Sequence, residues 1–265
     1  MRKTSLFLCL LILLSQTGNT WGQSTWIGLK GGISIPDLSG GGGNPLSSGY
    51  TSRLAANFGV QSEFVVHDNF SLQVELNYAG QGGQHNGMQA ITNLPPELAA
   101  AVPPGTYLYA NFKNKAILDY LELPVLARLS WGKTLAFYAN AGPYLGYLLH
   151  AKEKTSGTSP IYADDKGDPL TIQGYPVPPQ NFDATTDVTS SIKRFNFGAT
   201  AGAGLAYPLS PKNKLFFDAR FEYGFLNIQK YSEDGKNNTG NVLLSLGYSY
   251  CLGKKVTPGV AKLAP

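Results

Sequence analysis

Asn69-Phe70-Ser71-Leu72-Gln73-Val74-Glu75-Leu76-Asn77-Tyr78 decides the fold. Successive side chains on a strand point to opposite faces, so Phe70, Leu72, Val74, Leu76 and Tyr78 share one face and Ser71, Gln73, Glu75 and Asn77 the other. The stretch reads as a strand with an apolar side and a polar side. Seven further segments follow the same rule, near Thr25 to Ile35, Arg53 to Val66, Ala116 to Ser130, Leu135 to His150, Ile192 to Tyr207, Leu215 to Ile228 and Val242 to Leu252.

The connectors alternate between short and long. His67-Asp68-Asn69, Trp131-Gly132-Lys133 and Ser210-Pro211-Lys212-Asn213 are tight turns. The glycine-rich 40–43 region, the Gly/Pro/Ala segment between Gly80 and Asn111, the stretch from Glu153 to Ser190 and the polar 232–240 region are the long ones. The Pro95-Pro96 and Pro103-Pro104 pairs forbid a central strand there. An even number of strands with turns short at one end and long at the other predicts an all-β chain, an eight-stranded antiparallel up-and-down transmembrane β-barrel. The short turns and both termini then belong in the periplasm. A soluble lipocalin-like barrel is the alternative fold.

The N-terminus supports export. Arg2 and Lys3 precede the short apolar run Leu6 to Leu14, and Thr20-Trp21-Gly22 offers a cleavage window. The run is too short for a transmembrane helix, which needs about 20 apolar residues. Residues 1–22 therefore read as a signal peptide, 23–252 as the barrel, and 253–265 as a periplasmic tail. Cys9 leaves with the signal, and Cys251 remains as a single thiol. Without Arg2 and Lys3, the 21 basic residues come close to balancing the 17 acidic ones. No basic run suggests nucleic acid.

The polar phase predicts what fills the barrel. An eight-stranded ring is only wide enough for its own side chains. Lys30, Arg53, Glu63, Glu75 and Glu122 face inward by alternation, as do Arg128, Asp218, Arg220 and Glu222. Buried charges persist only when paired, so these nine predict a closed, salt-bridged lumen. Aromatics on the apolar phase predict two membrane-interface belts. Phe64, Phe70, Phe137, Tyr207, Phe217 and Tyr250 fall toward the short-turn end, and Tyr78, Tyr147, Phe195 and Phe225 toward the long-loop end.

Chemistry-bearing groups are sparse. His67 falls in a turn and His85 in a loop; alternation turns His150 into the lumen without an evident acidic partner. Asp164-Asp165-Lys166-Gly167-Asp168 carries oxygen ligands of the kind Ca²⁺ takes, but without EF-hand spacing, and reads as a solvated turn. The expectation is no enzyme, no cofactor and no metal. A lipid-modifying barrel enzyme is the least supported reading.

Gly28-Leu29-Lys30-Gly31-Gly32, Tyr120-Leu121-Glu122-Leu123-Pro124-Val125 and Leu246-Gly247-Tyr248-Ser249-Tyr250 make the chain resemble the outer-membrane β-barrel family of Bacteroidetes-type bacteria that includes PorT-like proteins. The resemblance runs from Thr25 to Leu252. It implies contact with outer-membrane lipid and lipopolysaccharide, and insertion by the barrel assembly machinery. The long loops, especially 83–112 and 153–190, read as a surface for binding, adhesion or envelope integrity; the resemblance implies, as the alternative, an accessory role in protein secretion acting through the periplasmic turns and the tail. The partners would be an extracellular ligand or secretion components. Family barrels commonly end on an aromatic in the last strand, whereas Gly253 to Pro265 continues past it here.

Overall fold

The computed structural model describes residues 24–252 apart from 42, 92–97, 99, 101, 104 and 133. The expected signal peptide and tail lie outside the described residues. Eight long strands form the wall: β1 (Ser24–Ser39), β2 (Ala55–His67), β3 (Phe70–Ala90), β4 (Tyr109–Trp131), β5 (Ala136–Ser156), β6 (Phe195–Ser210), β7 (Asn213–Gly224) and β8 (Asn238–Cys251). Each pairs antiparallel with its sequence neighbours, and β8 returns to pair with β1 from Trp26↔Cys251 to Ser39↔Asn238. Apolar side chains of the alternating segments stand on the outside of this ring; Leu29, Leu246 and Phe221 are among its exposed large apolar residues. A soluble lipocalin-like barrel, with its apolar phase turned inward, would show the reverse.

Two of the three short turns close with local chemistry. In the turn from β6 to β7 the Ser210 hydroxyl accepts from the Lys212 N–H and from the Asn213 amide. Gly132, at φ +100°, supplies the left-handed residue after β4, where an added Cβ would strike the Leu135 carbonyl. Inside the ring, Gly198 and Gly204 leave the space that the Tyr144 and Tyr138 rings occupy.

Strands β3, β4 and β5 differ from their sequence reading. They run for 21, 23 and 21 residues, whereas a membrane-spanning strand needs about 9–11. The Gly80–Asn111 segment, a loop by its composition, thus begins and ends as paired strand, from Gly80↔Asp119 to Ala90↔Tyr109. Alternation in hydropathy fades there because beyond the hydrocarbon the outer face has no reason to be apolar. His85 sits on this extension near the Tyr50 ring, and is not in a loop.

The loop from Glu153 to Ser190 is also built up. Ala184–Asp187 adds a short strand to β5, Thr158–Ser159 pairs with Gln180–Asn181, and Thr171–Ile172 pairs with Tyr175–Pro176. Gln173 and Gly174, both at positive φ, make the two-residue turn of the last pair. The two long loops share an apolar core of Ile91, Leu98, Leu108, Ala110, Phe112 and Ile161, with Phe182 stacked on Phe112. Tyr109 and Tyr162 exchange backbone hydrogen bonds between them.

Closure is testable by a cross-link. Leu29→Cys with Tyr248→Cys, placed in a Cys251→Ser chain, joins residues that the β1–β8 pairing sets opposite each other. Oxidation is expected to give an intramolecularly closed monomer on non-reducing gels; exclusive formation of dimers would show that the ring is open.

Candidate functional site

The lumen is built by the inward phase of all eight strands. Glu75, from β3, meets Lys30 of β1 at 2.7 Å and accepts both Arg220 Nη groups of β7 at 2.8 Å each. Asn77 donates to the same carboxylate at 2.8 Å. Arg220 also holds Asp218 through its Nε. Toward the short-turn end, Glu63 binds Lys214 at 2.6 Å and Ser71 at 2.9 Å, with Arg128 at 3.5 Å. The Arg128 guanidinium stacks on the Tyr138 ring, 3.5 Å from its centre. Lys30, Glu63, Glu75, Arg128, Asp218 and Arg220 are therefore brought together as charge-assisted pairs out of water.

Glu122 and Glu222 are buried in the lumen as well, and Gln81 donates to Glu122. Among the described residues neither takes part in an ion pair, and Glu122 Oε2 and both Glu222 carboxyl oxygens have no hydrogen-bond partner.

Arg53 departs from its expected place. It stands ahead of β2, where strand alternation no longer governs direction. Its guanidinium donates to the backbone oxygens of Gln81 at 2.6 Å and Leu54 at 3.3 Å, and it lines an outer cleft with Lys115. Lys214 takes its role in the lumen. In the sequence Lys214 stands at the edge of a turn and attracts no notice, although it shares the even-numbered phase of Asp218 and Arg220.

His150 is also corrected. Between Asp119↔His150 and Tyr120↔Leu148 the β4–β5 register shifts, leaving Leu149 as the extra residue of a bulge. His150 is thereby turned off the lumen phase toward Asp187, whose Oδ2 is 3.6 Å from Nε2, so an acidic partner exists. Thr189 Oγ1 lies 3.3 Å from Nδ1. That hydroxyl also accepts from the Ala151 N–H at 2.9 Å and reaches the Ala151 carbonyl at 3.2 Å.

The ten aromatics singled out from the sequence all stand on the outer face. Tyr147 packs edge-on against Phe195, and Phe225 against Phe197. Phe58, opposite Tyr78 in the sheet, stacks on it and adds a ring to the outer tier. On the short-turn side Phe64, Phe70, Phe137, Tyr207, Phe217 and Tyr250 remain exposed or half-exposed. In the acidic loop, Asp164 accepts the backbone N–H groups of Lys166, Gly167 and Asp168 at 3.0 Å each, and these bonds hold its carboxyl below the usual range.

The long-loop end of the barrel is not polar. Leu38, Leu118, Tyr120, Leu148, Ala151, Ile192 and Ile228 form an apolar plug above the charged network. A cavity of about 220 Å³ opens on the plug, where Tyr50, Glu153 and Asp234 join it from the loops and the β5 extension. No sequence signal marks these three, because they meet only when distant connectors converge.

The lumen pairs make a contrast that substitution can read. Glu75→Gln leaves Lys30 and Arg220 without their shared partner and is expected to cost about 3 kcal/mol, the scale for breaking a buried ion pair. Glu222→Gln removes a carboxylate that has no ion-pair partner among the described residues and is expected to cost far less. Urea unfolding in lipid vesicles, followed by heat-modifiable gel migration, measures both; equal losses would refute the central place of the Glu75 ion pairs.

A family model for the outer membrane protein β-barrel domain matches residues 15–230. No curated protein matches the chain in sequence. Among solved structures, the attachment invasion locus protein Ail of Yersinia pestis aligns at 12% identity and a TM-score of 0.36, over 87% of this chain and 99% of Ail. A major outer membrane protein of Thermus thermophilus aligns at 14% identity and 0.43, over 86% of this chain and 98% of that one. OprG of Pseudomonas aeruginosa aligns at 10% identity and 0.38, over 88% and 98%. With the family match covering most of a chain whose eight strands close into a ring, this protein belongs to the outer membrane protein β-barrel domain family and resides in the outer membrane.

Proposed function

We propose that this barrel is a non-enzymatic, closed scaffold that holds its long loops outside the cell for binding or adhesion, with both termini in the periplasm. The observation that carries the reading is the common apolar core of the two longest loops, in which Phe112 and Phe182 stack. Loops that merely join strands need no core of their own; a packed one costs chain entropy and yields a defined surface. The lumen supports closure, since its charges are buried and paired around Glu75 and Glu63. The aromatic tiers suit the two membrane interfaces, where outer-membrane lipid and lipopolysaccharide would meet them.

His150, Asp187 and Thr189 resemble a nucleophile–base–acid set in composition. The Thr189 hydroxyl is bound to the Ala151 backbone, next to the pairing of Ala184–Asp187 with β5, which suits a support for that pairing at the bulge better than a nucleophile. A PorT-like accessory role in secretion would work through the three short turns and the 253–265 tail; the turns themselves offer little surface, and the tail lies outside the described residues.

Replacing residues 158–183 with a Gly/Ser linker separates scaffold from surface. The expected result is a protein that still shows heat-modifiable migration in outer-membrane fractions while cells lose attachment or ligand capture. In planar bilayers the intact barrel is expected to give no stepwise conductance. Unchanged attachment would remove the loop reading, and sustained conductance would remove the closed lumen.

A further inference from the structure

The cavity on the apolar plug has a chemistry of its own. Its lining combines hydrocarbon, from Leu38, Leu118, Ile192 and Ile228, with the polar residues Glu153, Asp234 and Tyr50. Glu153 accepts one hydrogen bond, from Asn114 at 2.6 Å, and among the described residues neither it nor Asp234 has an ion-pair partner. Tyr50 packs against the plug, and its hydroxyl has no hydrogen-bond partner among the described residues. Lys152, at the rim, lies in Coulombic range of Asp187. The cup therefore presents two uncompensated carboxyl groups and a free hydroxyl over a greasy floor.

Size narrows the ligand. A buried apolar cavity of about 150 Å³ admits benzene, so about 220 Å³ leaves room for one ring or a short branched alkyl group and a one- or two-atom arm. We propose that the outer mouth binds a small amphipathic monoamine, its apolar body on Leu118, Ile192 and Ile228 and its ammonium on Glu153, Asp234 and Tyr50. This deepens the binding role proposed above and rests on the mouth facing the outside of the cell.

The carboxyl groups face this task in an unusual state. Burial, and then Asp234, raises the Glu153 carboxyl above the ordinary range, against the Asn114 hydrogen bond. Burial, and then Glu233, raises that of Asp234. Burial, and then Glu153, raises the Tyr50 hydroxyl, which stays protonated and donates. A cation in the cup relieves this repulsion, so amine binding is expected to weaken as pH falls through the raised carboxylate range, with the amine itself fully charged throughout.

The test uses the full-length barrel in detergent and isothermal titration calorimetry with 2-phenylethylamine, 2-phenylethanol and 3-phenylpropionate. Saturable one-to-one binding of the amine is expected, about tenfold tighter than the alcohol, as hydrogen bonds to charged groups require, and no binding of the acid. Glu153→Gln is expected to bring the amine down to the alcohol's affinity, and Ile192→Trp to abolish both by filling the floor. Should either variant fold poorly, the pH titration of the unaltered protein decides. Equal affinity for amine and alcohol, preference for the acid, no binding of any probe, or tightening at low pH would each overturn the proposal. If the amine fails to bind while loop replacement still abolishes attachment, only the cup is refuted; if neither holds, the surface role falls too.

Discussion

Every peptide N–H and C=O that crosses hydrocarbon must find its partner within the protein, and here the set is completed by the pairing of β8 with β1. An open ring would leave two strand edges facing lipid, each orphaned group costing several kcal/mol. Much else follows from that seam. Closure at eight strands fixes a narrow bore, and the bore dictates that bulky Tyr138 and Tyr144 be matched by Gly204 and Gly198 on the neighbouring strand.

The same narrowness turns the polar phase into a core. Lys30, Glu75 and Arg220 come from strands that are not neighbours in the sheet, yet they meet around one carboxylate. The cluster ties opposite walls together as an apolar core would, and it does so directionally. Above it the plug from Leu38 to Ile228 changes the filling from charge to hydrocarbon. The barrel thus has a polar filling toward the short turns, an apolar cap toward the long loops and, on the cap, a cup.

What the sequence makes legible are the features that repeat. The alternation of Phe70 to Tyr78 persists because lipid and lumen impose opposite demands on adjacent residues. The inward charges other than Arg53 follow from the same phase. Legibility ends where that demand ends. Arg53 is misplaced when alternation is carried past the start of β2. The extensions of β3 to β5 escape notice because strands in water need no apolar face. His150 is misassigned because a bulge leaves no mark in hydropathy. Tyr50, Glu153 and Asp234 cannot be grouped from sequence, since the contacts that unite them span most of the chain.

The bulge at Leu149 has one more effect. Residues beyond it sit on the phase opposite to the one the first part of β5 sets, so Ala151 and Glu153 turn inward while Lys152 and Lys154 turn outward. Had the same residues continued in strict alternation, with no bulge, the two lysines would have lined the mouth and the glutamate would have faced away. The bulge therefore sets the sign of the charge at the opening: by taking up one residue out of phase it keeps Glu153 on the inner face.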